Sequence, residues 1–185
     1  DCNVVWDLAT HDLSIIDFVV DKKPVSVSVH GVSHGGNGLA SMAYLSLNYD
    51  DVFIAHVHVN WLSPTKVRTM IIGGTDQTLV WDDLNPQQRV SIYDRKIDLG
   101  KDLDEVVHRS RVSYRIGDVR SPALPDTEAL SAVMDELVAA ARGEREPVTD
   151  GVSGLRVLQI LEASDKSLDS GSAVVDVALA EREAS

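Results

Sequence analysis

Asp7 and His11 stand four residues apart near the start of the chain. On a helix that spacing puts both side chains on one face about a turn apart, where they can act on one ligand. A neutral imidazole accepts a proton from a hydroxyl at physiological pH, and a nearby carboxylate can fix the imidazole or hold the substrate itself. Alcohol oxidation requires this chemistry. The spacing is also compatible with a plain helix, in which Asp7 is a first-turn acid favoured by the macrodipole and His11 is a satisfied helix residue.

Other residue types invite the same question. His56, His58 and Asn60 alternate along a strand, and His30 falls on a similarly polar stretch. A His-x-His pair can begin a metal site or a cupin motif, but no Glu follows at a suitable interval. A solvated strand face or a subunit contact accounts for the pair better, and no metal is expected. Tyr114 and Arg115 could reach an acidic or phosphorylated substrate, since Arg forks to carboxylates and phosphates, or could stand in solvent at a strand edge. Neither Gly35-Gly36-Asn37-Gly38 nor Gly73-Gly74 has the spacing of the Gly-x-Gly-x-x-Gly phosphate turn, and both read as loops.

The elements that must position these residues can be read from periodicity. Apolar residues from Asp7 to Asp21 recur at helical spacing, with Leu8, Ile15, Phe18 and Val19 in one sector with His11, and Lys22-Lys23-Pro24 ends the helix. From Val25 to Tyr93 the period falls to two. This predicts strands at Val25 to Gly31, Leu39 to Tyr49, Val52 to Leu62, Lys66 to Ile72, Gln77 to Trp81 and Arg89 to Tyr93. Short turns between them favour antiparallel hairpins.

Pro122 to Pro125 is a stiff break, followed by helices over Thr127 to Arg142, capped by Thr127 or Asp126, and from Thr149-Asp150-Gly151 to Leu168. Phe53, Ala55, Val57, Val59 and Trp61 form one apolar strand face, which the two closing helices are expected to cover. His56, His58, Asn60, Lys66 and Arg68 are left for a second subunit. Residues 170–185 read as a frayed helix or tail.

Composition narrows the function classes. With 44 % hydrophobic and 25 % charged residues, 185 residues suit one folded domain. A net charge of −12 argues against nucleic acid and against an anionic membrane surface. No apolar run approaches the roughly 20 residues of a membrane span. Cys2, without a partner cysteine, points to a reducing cytoplasm. The chain opens on Asp1 and runs straight into a helical pattern, so an upstream portion is expected.

Several segments, in order, resemble the C-terminal domain of the Gfo/Idh/MocA oxidoreductases. Trp6-Asp7-Leu8-Ala9-Thr10-His11-Asp12-Leu13 is similar to that family's D-x-x-x-H helix. His58 to Arg68 (His-Val-Asn-Trp-Leu-Ser-Pro-Thr-Lys-Val-Arg) and Tyr114 to Val119 with Pro122 look like its nucleotide-sugar branch. Pro147 to Gly151, Gly154-Leu155-Arg156-Val157-Leu158, Leu161-Glu162-Ala163 and Ser167-Leu168 resemble its closing helices. Asn3-Val4-Val5 departs from the glycines many relatives carry there, and Thr10 stands where some carry Pro.

The resemblance implies an α+β fold with an open, predominantly antiparallel sheet and helices on one face, the dihydrodipicolinate-reductase-like type. Residues 1–169 would then form the catalytic, substrate-binding and oligomerisation domain, with the Rossmann domain absent from the chain. It further implies an NAD- or NADP-dependent enzyme acting on the CH-OH group of a sugar, polyol or nucleotide sugar. His11 would be the general base, and Asp7 would orient substrate or His11. A homo-oligomer is implied as well. The family's Glu-Lys-Pro lysine and its cofactor site lie in the Rossmann domain, so this fragment alone should be inactive. The alternative is a noncatalytic oligomerisation or ligand-binding module of the same fold.

Overall fold

In the computed structural model, residues 2–20, 22–36, 38–49, 53–94, 117–125 and 127–178 are described. They fall into two compact units, residues 1–64 with 129–185 and residues 65–128.

The first unit begins with a helix in two registers. A π turn, Val5–Ala9, runs directly into α1, Thr10–Val19. Val20 turns to an extended conformation before Lys22, so the helix stops short of the predicted end at Asp21. Three strands follow: β1 (Ser26–Val32), β2 (Met42–Asn48) and β3 (Ile54–Asn60). They pair antiparallel, with His30 opposite Tyr44 and Tyr44 opposite His58.

Because side chains alternate across a strand, Val27, Val29, Ala43, Leu45, Leu47, Val57 and Val59 all point to one side, where they are buried. Against that layer pack Val4, Val5, Ala9 and Leu13 of the first helix and Val157, Ile160, Leu161 and Ala163 of the last. Leu13, Leu45, Leu47 and Leu161 are nearly free of solvent, each contributing roughly 1.5–3 kcal/mol of transfer free energy.

The second unit is a sheet of β4 (Thr69–Gly73), β5 (Gln77–Asp82), β6 (Val90–Asp94) and the short β7 (Val119–Arg120), in that order and antiparallel throughout. The strands thus divide over two four-stranded sheets. Gly117 permits the approach of β7 to β6, because a Cβ there would collide with the Asp94 carbonyl.

The chain then returns to the first unit through α2 (Ala129–Ala141) and α3 (Gly151–Asp169). Asp150 caps α3, its side chain accepting from the Ser153 N–H at 2.8 Å. The expected cap residue Asp126 lies outside the described residues.

Two expectations change here. The sheet is covered by the first helix and α3, not by both closing helices. No residue of α2 is buried, and Leu130, Val133, Met134, Leu137 and Val138 are exposed. The stretch read as a tail also contains a strand. β8 (Val175–Asp176) pairs with β1, and Val177 enters the core. Its anchor is the buried Ser167, whose hydroxyl donates to the Ala173 carbonyl (2.6 Å) and accepts from the Val29 N–H (2.9 Å). That N–H lies beyond the reach of the two-residue β8, so the serine replaces a missing strand partner.

Candidate active site

Asp7 sits in the π turn, and its position depends on groups hidden from the alternating pattern. Asn3 closes the start of the helix: its Oδ1 accepts from the Val5 and Trp6 N–H groups at 3.0 and 3.2 Å. The same side chain donates through Nδ2 to Asp165 Oδ1 (2.8 Å), and Trp6 Nε1 donates to Asp165 Oδ2 (2.6 Å). One carboxylate on α3 therefore fastens both ends of the entry to the π turn. In an i→i+5 turn each N–H reaches one residue further back than in an α-helix. The Thr10 hydroxyl donates to the Trp6 carbonyl at 2.6 Å, filling the acceptor that an α-register would give to the Thr10 N–H.

A second tie comes from the segment before β2. The carbonyl of Ala40 accepts from the Val4 N–H (2.9 Å), and that of Ser41 accepts from the Trp61 N–H (3.0 Å). Consecutive carbonyls thus hold the beginning of the helix and the end of β3 side by side. The consequence is a bond across the site: Trp61 Nε1 donates to Asp7 Oδ2 at 2.7 Å. Among the described residues no other side chain bonds this carboxylate.

His11 lies one turn further along, exposed to solvent, and no hydrogen bond joins it to Asp7. Both groups leave the helix on the side away from the core, which Val5, Ala9 and Leu13 occupy. The arrangement can present an acceptor carboxylate and a titratable imidazole together to one ligand.

Tyr114 and Arg115 lie outside the described residues. His56 and His58 are exposed on the outer face of the sheet, where the His58 ring stacks on Tyr44 with centroids 4.3 Å apart. Among the described residues no group of three His, Cys, Asp or Glu side chains converges as a metal site. Lys66 is exposed outside any strand, and Arg68 pairs loosely with Asp83 at 3.5 Å.

Sequence reading missed Trp61, Asn3 and Asp165. It placed Trp61 on the inward apolar face, but β3 ends at Asn60. There the Asn60 side chain accepts from the Leu62 N–H (2.7 Å) and turns the chain, leaving Trp61 40 % exposed.

A separate cavity of about 310 Å³ lies where α1 meets the start of α3, lined by Ser14, Asp17, Phe18, Val148, Ser153 and Arg156 among others. Asp17 is bonded by Arg156 Nε and Nη2 (2.9 and 2.6 Å) and by Lys23 Nζ (2.7 Å). Burial alone would push its carboxyl pKa up, but the Arg156 and Lys23 bonds and charges together hold it below the ordinary value of 3.8. Arg156 is raised in turn by its bond to Asp17. The bidentate pair ties α1 to α3.

Comparison with known proteins agrees with this architecture. Residues 2–80 match the family model of the GFO/IDH/MocA C-terminal domain. The fold is similar to that of UDP-N-acetylglucosamine 3-dehydrogenase from Acidithiobacillus ferrooxidans, at 22 % identity and a TM-score of 0.74, over 94 % of this chain and 50 % of that one. It is similar to the WlbA dehydrogenase from Bordetella pertussis, solved with NADH and UDP-GlcNAcA, at 17 % identity and a TM-score of 0.68, over 97 % and 48 % of the two chains. The aldose-aldose oxidoreductase from Caulobacter crescentus, solved with glycerol, matches at 16 % identity and a TM-score of 0.70, over 95 % and 48 %. This chain therefore spans about half the length of each. No curated protein matched. Residues 2–80, which include the D-x-x-x-H helix at Asp7 and His11 and the antiparallel strands β1 to β3, are thus similar to the GFO/IDH/MocA C-terminal domain.

Proposed function

We propose that this chain is the catalytic and substrate-binding part of an NAD- or NADP-dependent oxidoreductase that oxidises a hydroxyl of a sugar, polyol or nucleotide sugar. The observation that carries the reading is the presentation of Asp7 and His11 on the open side of a helix whose other side is locked into the core. The likeness to a dehydrogenase whose name specifies UDP-N-acetylglucosamine, and to another solved with NADH and UDP-GlcNAcA, supports it.

The described residues do not fit the cofactor. The turn glycines Gly73 and Gly74 belong to the β4–β5 hairpin, with no helix N-terminus behind them to receive a pyrophosphate. The dinucleotide would have to be held by residues outside these 185, and independent activity is not expected. A nicotinamide, when bound, supplies the hydride acceptor. This chain's share is proton chemistry: His11 takes the hydroxyl proton as the carbonyl forms and later releases it to solvent. Asp7, immobilised by Trp61, accepts a neighbouring hydroxyl and fixes the ring's orientation. A reducing, cytoplasmic setting and a homo-oligomer built through the outer face of the first sheet belong to the same proposal.

The test is His11→Ala in the intact protein. Reduction of nicotinamide by its sugar substrate should fall about 10²-fold or more, the usual scale for a lost general base, with little change in thermal stability because His11 is exposed. A turnover equal to wild type would reject the role of His11, whereas no turnover in the intact wild-type protein would favour the noncatalytic module.

A further inference from the structure

We propose that Trp61 is a platform on which the six-membered ring of a pyranose stacks, its indole locked in place by Asp7. The inference rests on the functional reading above and narrows its substrate class.

The indole is pinned at both ends. Its backbone N–H bonds the Ser41 carbonyl at 3.0 Å and its ring N–H bonds Asp7 at 2.7 Å. Its single polar atom is therefore spent on the protein, and only π faces remain to meet a ligand. Yet the side chain stays 40 % exposed, beside the proposed acid/base pair. Trp6 makes the contrast: its N–H is also given to a carboxylate, Asp165, but its ring packs against the core and has a structural use. Trp61 stands outside that core.

An aromatic face is electron-rich and favours polarised C–H groups. A pyranose offers a flat face of axial C–H bonds with hydroxyls around its rim, so one ring can lie on the indole while a rim hydroxyl reaches Asp7 or His11. An acyclic polyol has no such flat face. Because the platform is already immobilised, little conformational entropy is lost when the ring docks.

The experiment uses the intact protein with UDP-N-acetylglucosamine and sorbitol as probes, reading tryptophan emission and calorimetric affinity for wild type, Trp61→Phe and Trp61→Leu. The nucleotide sugar should alter the emission of wild type but not of Trp61→Phe, which lacks the reporter and keeps a π face. Affinity should hold within about threefold in Trp61→Phe and fall by about tenfold in Trp61→Leu, while sorbitol alters neither emission nor affinity between variants. An emission change that survives in Trp61→Phe, no change in wild type, or equal affinity in Trp61→Leu each overturns the proposal. Should Trp61→Leu not fold, the wild-type and Trp61→Phe emission still decides. Unchanged turnover in His11→Ala would sink the general-base reading alone, since the ring-stacking readout does not involve hydride transfer.

Discussion

Just past β2, Tyr49 packs edge-on against Phe53, ring centroids 4.7 Å apart, and burial with the nearby Asp17 charge pushes its hydroxyl up to about 12. The fold thus favours the neutral phenol. The associated stability is complete below the ordinary value of 10.0 and is lost as pH climbs toward about 12. Asp17 behaves in the opposite sense: its depressed carboxyl pKa contributes stability above 3.8 that disappears as pH falls below it. Urea midpoints measured against pH should therefore drop at both ends. Tyr49→Phe should flatten the alkaline limb, and Asp17→Asn should flatten part of the acid limb while costing about 2 kcal/mol at neutral pH by unpairing Arg156. An alkaline limb that persists in Tyr49→Phe belongs to another group. At this scale the sequence exposed Asp7 and His11 through local spacing, but the Trp61 partner of Asp7 lies 54 positions away. No local pattern carries such a bond, and strand parity put Trp61 on the wrong face because the Asn60 turn interrupts it.

The strands were legible to within about three residues because their alternation is set by a single buried face, as in Val27, Val29, Ala43, Leu45 and Leu47. The π register was not, since Val4, Val5, Ala9 and Leu13 fit an α stripe almost as well; tertiary bonds from Asn3 and Asp165 accompany it. Nor was the bareness of α2, whose spacing announces an apolar side without saying what it meets. β8 was missed because two residues are too few for a period. The Asp165 clamp gives an element-level prediction. Asp165→Ala should cost about 2 kcal/mol through two lost charge-assisted bonds. In the intact protein, on the proposed function, it should also lower turnover severalfold without touching substrate, by loosening the turn that carries Asp7. Denaturant unfolding and steady-state kinetics on the same variant check both, and a destabilised enzyme with wild-type turnover would detach the clamp from the site.

At the scale of the whole molecule, the first sheet has one covered and one open face, and the proposed homo-oligomer would form through the open one. On the open face His30, Tyr44 and His58 lie in one row across three strands, and Tyr44 and Ile54 are 53 % and 51 % exposed. Apolar area mixed with stacked aromatics suits a two-fold contact in which the same row meets its copy. The net charge of −12 opposes association everywhere else on so acidic a chain, so a contact through this nearly uncharged face is the one least penalised. Tyr44→Asp would set two carboxylates near the axis and should halve the mass seen by light scattering at micromolar concentration, leaving the fold intact because the residue contributes nothing to the buried side. Its effect on catalysis separates two forms of assembly. If His11 and Asp7 act within one subunit, on the opposite side of the sheet from this contact, turnover per chain should survive dissociation. Wild-type protein that is already monomeric, or a Tyr44→Asp variant of unchanged mass, would remove the outer face as the interface.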